Sequence, residues 1–257
     1  MEVIDDVACT VCGCVCDDLQ ITVDGSRVTK AKGACQLAEP WFLNQDTKQP
    51  PVAEIEGQPA EFEASIHQAA KLLSSARSPL IYGLSRSSTE GQRAAVRLAD
   101  QIGANIDTTA SLCHAPSIMA IEAVGESTCS LGEIKNRADL VIFWGVDPVR
   151  SHPRHFERYS VDPAGLFVPK GRSDRTVVVL DVRRTESAEQ ADIFIPVENG
   201  RDFEAIWVLR CLIRGIPIES SVPLGASLDA LSELADSPVA AVWCSSAWVC
   251  LGRVWAT

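Results

Sequence analysis

No apolar run in this chain approaches the length of a bilayer-spanning helix, so the sequence predicts no membrane segment. The opening MEVIDDVACT has neither the basic n-region nor the apolar h-region of an export signal. Basic residues are scarce: 23 Lys and Arg stand against 34 Asp and Glu, a formal charge of −11. A surface of that sign repels phosphate backbones, which argues against nucleic acid as a partner. Repeats and low-complexity tracts are also lacking. With 46% apolar residues, 257 residues can form one large α/β domain or a small domain beside a larger one. These absences together predict a soluble chain in a reducing, cytoplasmic setting, where disulfides are not expected.

What the chain does have is cysteine, and five of its ten fall between Cys9 and Cys35. Cys9, Cys12 and Cys16 read C-x2-C-x3-C, and Cys35 follows after a hairpin turned at Asp24-Gly25. A [4Fe-4S] cubane needs one thiolate on each of four irons, and three closely spaced cysteines can cover three corners. Structural zinc is an alternative, although its usual pattern is two close pairs. Unliganded buried cysteines are the other alternative. Cys14 lies at the wrong phase and reads as a spare thiol.

Residues 1–50 therefore form a candidate iron–sulfur domain, ending in the short helical stretch CQLAEPWFLNQ and the break Gln49-Pro50-Pro51. Beyond it, over 51–240, helical and strand patterns alternate. EFEASIHQAAKLLSSA carries a helical stripe at Phe62, Ile66, Ala69, Ala70 and Leu73. PLIYG reads as a buried strand, and the next helix is capped by Ser88 and stopped by Gly103. ANIDT, ADLVIFWG, TVVVLD and ADIFIPV read as further strands, and DFEAIWVLRCLIRG is a helix ended by Gly215. The expected fold is α/β, a doubly wound, mostly parallel sheet.

In such sheets ligands bind beyond the carboxyl ends of the strands. PLIYG leads into Leu84-Ser85-Arg86, LVIFWG into Val146-Asp147-Pro148, and VVVLD into Val182-Arg183-Arg184-Thr185. Gly83 and Gly145 allow close backbone approach, while Asp181 and the arginines offer charged partners. Any one such loop is commonplace; three on a single sheet predict a site for a nucleotide with a diphosphate.

The four cysteines, WGVDP and VVVLDVRRTESAEQADIFIPVENGRDFEAI resemble the molybdopterin oxidoreductases, WGVDP standing where that family usually has Gly-x-Asn-Pro. IDTTASLCHAPS, LGEIKNRADLVIFWG and SHPRHFERYS narrow the resemblance to the B subunits of formylmethanofuran dehydrogenases. It runs from Cys9 to about Gly215. The resemblance implies a bis-(pyranopterin guanine dinucleotide) carrying Mo or W, with Cys113 as the metal's thiolate ligand and His114 as the proton-handling neighbour. It further implies that Asp147, Asp181, Arg183, Thr185, Gly200 and Asp202 lie along the pterin nucleotide arms; Gly83, Ser85 and Gly145, read from the strand ends above, are expected to bind the cofactor with them. His152 and His155 fit loop packing at least as well as catalysis.

The implied activity is reduction of CO2 to formate or its reverse, with electrons passing through the cluster. The implied partners are the other subunits of such a complex, including an amidohydrolase-type subunit, and a small one-carbon substrate. A non-redox scaffold subunit of the related bacterial formyltransferase/hydrolase complex is the alternative, and a stand-alone iron–sulfur module a third. The family's chain is longer and places an arginine and the second half of the cofactor cradle downstream. Residues 241–257, rich in Trp and Cys, therefore read as an atypical, frameshifted or truncated tail that would expose Trp248, Cys250 and Trp255.

Overall fold

The computed structural model of the protein describes residues 1–45, 50–85, 87–108, 110–126, 128–219, 221, 223–236 and 241–245. Gln49, Arg86, Trp248, Cys250 and Trp255, named above, lie outside the described residues. The chain forms two compact units, residues 1–45 with 127–257 and residues 46–126.

The first unit begins with an antiparallel sheet of β1 (Glu2–Val7), β2 (Leu19–Asp24) and β3 (Arg27–Lys32). Asp24 pairs with Arg27, and Gly25, at φ 60°, makes the turn foreseen between them. The short helix α1 (Ala38–Leu43) follows and buries Ala38 and Phe42. Strand β1 has no sequence signal, because EVIDDV is almost wholly exposed and lacks alternation.

The second unit opens with a small hairpin, β4 (Ala53–Ile55) and β5 (Gln58–Ala60), then helix α2 (Phe62–Ser75). Strand β6 (Leu80–Gly83), helix α3 (Thr89–Ile102), strand β7 (Asn105–Thr108), a π-helical turn (Ala110–His114) and α4 (Ala115–Val124) complete it. Helix α3 has the expected ends: the Ser88 hydroxyl accepts from Gly91 N, and Gly103 is left-handed. Two expectations need correction here. The stripe of α2 is not buried, and Leu80 and Tyr82 of β6 are more than half exposed. Nor, among the described residues, does β6 join the main sheet; there it pairs with β7 alone, in parallel, as a separate two-stranded sheet. A four-residue strand with alternating exposure makes few contacts that could fix its partner, so the sequence cannot assign it.

The chain then returns to the first unit with α5 (Leu131–Arg137), β8 (Leu140–Trp144), α6 (Pro148–Ser151), a π-helical turn (Phe156–Ser160) and a 3-10 turn (Gly171–Asp174). It ends with β9 (Thr176–Asp181), α7 (Glu186–Glu189), β10 (Ile193–Pro196), α8 (Asp202–Arg214), α9 (Leu228–Asp236) and β11 (Ala241–Ser245). The sheet is parallel throughout, in the order β10-β9-β8-β11. All of β8 is buried, as are Val177–Leu180 of β9, which is why both read as unbroken apolar runs. One face, with Ile142, Trp144, Val178 and Leu180, packs on α8 and α9 through Val208, Leu209 and Leu231. The other, with Val141, Phe143, Val177 and Val179, packs on Ile134, Phe156 and Ala188. Buried Arg175 closes the end of α5 by donating to the carbonyls of Ile134, Lys135 and Ala138, and to that of Pro163. Among the described residues no helix is long and apolar enough to cross a membrane.

Candidate functional site

Three groups of residues carry chemistry. The first is the cysteine loop. Cys9, Cys12, Cys16 and Cys35 line one small cavity with Cys14, walled otherwise by apolar Val11, Val15, Leu19 and Ala38 and by Arg154. The cavity measures about 10 Å³. Among the described residues no three His, Cys, Asp or Glu are gathered tightly enough for a single metal ion. The donor set nevertheless suits a cluster: four soft sulfurs converge from two segments in an apolar surround. Cys14 differs from the four. It is fully buried and its thiol points at the His152 carbonyl, 3.8 Å away. Burial, then the neighbouring Cys12, pushes its pKa up to about 12, and burial raises that of Cys16 as well.

The stretch 152–160 grips this loop. Arg154 forks onto both carboxylate oxygens of Asp18 at 2.7 Å and reaches the Gly33 carbonyl, and Arg158 reaches Asp17 and Asp18. Tyr159 donates its hydroxyl to the Cys14 carbonyl at 2.7 Å. The Arg154 hydrogen bonds hold the Asp18 carboxyl below the usual carboxylate range. Sequence reasoning assigns no role to Arg154 or Tyr159. The available signal is charge complementarity, arginines four apart in SHPRHFERYS against the Asp17-Asp18 pair after Cys16.

His155, from the same stretch, is buried with Nδ1 2.8 Å from the Ser160 hydroxyl and its ring against Phe143. Burial, with His152 adding to it, pulls its pKa down to about 4. Packing, rather than access to a substrate, is what this geometry serves. Between pH 6.5 and 4 the unfolded chain therefore binds the proton that the folded chain refuses, so stability is full above pH 6.5 and falls with pH through that window. The expected loss is about 2 kcal/mol by pH 5. Urea unfolding at pH 7.5 and pH 5 should show it, and His155→Gln should flatten the difference; an unchanged slope would assign the effect elsewhere.

The second group lies at the carboxyl edge of the four-stranded sheet, where the first unit brings together Gly145, Asp147, Asp181, Arg183, Thr185, Gly200 and Asp202 after β8, β9 and β10. Gly145, at φ 62°, turns the chain out of β8 while its N–H holds Leu180 O at 2.8 Å. Several of these residues also work within the fold. Asp147 Oδ1 accepts from the N–H and hydroxyl of buried Ser187, tying the loop after β8 to α7. Thr185 caps α7 by accepting from Ala188 N, and Asp202 Oδ1 takes the Trp144 indole N–H at 2.7 Å. Asp181 accepts from Arg183 N. Each carboxylate keeps a second oxygen that these bonds do not use.

The third group is in the second unit. Gly83, Ser85 and His114 line a cavity of about 320 Å³ with Leu84, Gln92, Val96, Ile106 and Thr108, at the carboxyl ends of β6 and β7. Leu84, at φ 68°, is left-handed without being glycine, and Gln92 braces it by donating to the Leu84 and Ser87 carbonyls. Cys113 is exposed in the π-helical turn next to His114. The three strand ends expected on one sheet are thus divided, Gly83 and Ser85 on one and the others on another.

No protein-family model matches the chain. The motif resemblance to the formylmethanofuran dehydrogenase B subunits is borne out by direct comparison. The chain is 38% identical over 240 residues to the B subunit of tungsten-containing formylmethanofuran dehydrogenase 2 from Methanocaldococcus jannaschii, an alignment covering 91% of this chain and 55% of that protein. The B subunit of the same name from Methanococcus maripaludis is 37% identical over 243 residues, covering 92% of this chain and 56% of its own. The chain therefore spans about half the length of the curated relatives it matches. Among solved structures, the formyltransferase/hydrolase complex FhcABCD from Methylorubrum extorquens, in complex with methylofuran, matches with a TM-score of 0.56 and 21% identity. That match covers 74% of this chain and 50% of the other and shows a shared fold.

Proposed function

We propose that the chain is the B-type subunit of a tungsten- or molybdenum-dependent formylmethanofuran dehydrogenase and interconverts CO2 and formate inside a multi-subunit complex. The observation that carries this reading is the similarity over 91% of the chain to a subunit of that name. In it, Cys9, Cys12, Cys16 and Cys35 hold a [4Fe-4S] cluster in the N-terminal hairpin, supported by their convergence on one apolar-walled cavity.

The bis-(pyranopterin guanine dinucleotide), when bound, supplies the two-electron redox centre. In the first unit this chain's residues would hold it at the strand ends. Gly145 and Gly200 let backbone approach, and the unused carboxylate oxygens of Asp147, Asp181 and Asp202 accept N–H groups. Arg183 offers charge to a diphosphate, and Thr185 fixes the turn behind it. In the second unit Gly83 and Ser85 face the cavity lined by His114. Cys113 would provide the soft sulfur suited to the metal, with the His114 imidazole beside it as the proton-handling group. Formate would pass to an amidohydrolase-type subunit of the same complex.

The non-redox alternative, a scaffold role in a formyltransferase/hydrolase complex, is consistent with the fold shared with FhcABCD. Elemental analysis of the complex, purified anaerobically from its natural host, separates the readings. Iron together with tungsten or molybdenum is the expected result. A metal-free complex would establish the scaffold role, and iron alone an iron–sulfur module.

A further inference from the structure

We infer that the stretch His152–Ser160 is a template that shapes the cysteine loop for cluster assembly, with Tyr159 as the positioning residue; this rests on the cluster reading above. The starting observation is Val15. It sits between Cys14 and Cys16 at φ 43°, in the left-handed region, although it is β-branched and 56% exposed. Such a conformation is unfavourable for a β-branched residue and persists only where the surroundings over-determine it. Exposed Val15 gains little from its own packing, so the constraint comes from its neighbours.

Both neighbours are held. On one side the Cys14 carbonyl accepts the Tyr159 hydroxyl at 2.7 Å, and the Cys14 thiol is engaged by the His152 carbonyl. On the other side Cys9 N donates to Cys16 O at 2.7 Å, closing the loop on itself. With both flanks held, residue 15 links them in the left-handed conformation, and Cys16 stands on the cavity wall with Cys9 and Cys12. Arg154 completes the template. Its contacts to Asp18, just after Cys16, and to the Gly33 carbonyl, just before Cys35, tie together the two segments that supply the four thiols. Tyr159 is 145 positions from Cys14, so none of this is local to the loop. Without the Tyr159 hydroxyl the Cys14 flank is released, Val15 relaxes toward the extended region, and Cys16 turns with it.

The test uses the full chain, reconstituted anaerobically with iron and sulfide, and follows the visible absorbance as a chelator removes iron. Loss of one hydrogen bond to a shielded carbonyl should make Tyr159→Phe lose iron roughly tenfold faster than wild type. Adding Val15→Gly, which makes the left-handed turn without strain, should recover most of that loss. Should Tyr159→Phe fail to fold, Val15→Gly in the otherwise unaltered chain answers the question by losing iron about two- to fivefold more slowly than wild type. Unaltered iron retention in Tyr159→Phe, or no recovery with Val15→Gly, overturns the template. A wild-type chain that takes up no iron overturns the cluster reading itself.

Discussion

Anaerobically purified Cys12→Ser protein is expected to be colourless, and the wild-type chain is expected to carry about four iron and four sulfide. A cubane needs a thiolate at each corner, and serine oxygen is a poor, hard substitute for one. Cys12 lies on the cavity wall and is only partly buried, so the substitution costs the fold little and the loss reports on ligation. Cys14→Ser is the matching control. Cys14 is a buried thiol whose burial opposes ionisation, and serine keeps nearly its size. The brown absorbance should persist in that variant. Stoichiometric zinc without iron in the wild-type protein would end the redox reading.

Cys113→Ala, in the intact complex, should abolish CO2/formate turnover while leaving the iron–sulfur spectrum unchanged. Cys113 is exposed and is not one of the four cysteines proposed as cluster ligands. His114→Ala should keep the metal but slow turnover by roughly 10²–10⁴, the usual range for losing a general acid–base group. Activity retained in Cys113→Ala would remove the thiolate from the mechanism, and full activity in His114→Ala would assign the proton to another group.

The main sheet is legible in the sequence because its strands answer to one strong requirement. LVIFW and VVVL are apolar at every position, and only a strand covered on both faces makes use of that. Helix ends are legible for a similar reason, since Ser88, Gly103 and Gly215 act on backbone groups within one turn of themselves. Where the local requirement is weak, the sequence misleads. PLIYG has the pattern of a core strand, yet half of it is exposed and it pairs outside the main sheet.

The sequence by itself determined the donor chemistry: the cysteine spacing, the glycine and carboxylate content of the strand ends, and the motifs shared with the relatives. Those are properties of residue type and short separation, which folding cannot alter. Tertiary structure alone decided which of these residues share a site. It put Gly83, Ser85 and His114 around one cavity and Asp147, Asp181 and Asp202 along another edge, and it brought Arg154 and Tyr159 onto the cysteine loop. Contacts across 136 to 145 residues depend on where the chain returns, which is set by packing of the whole core. The same contacts explain a left-handed valine that no local propensity would place between two cysteines.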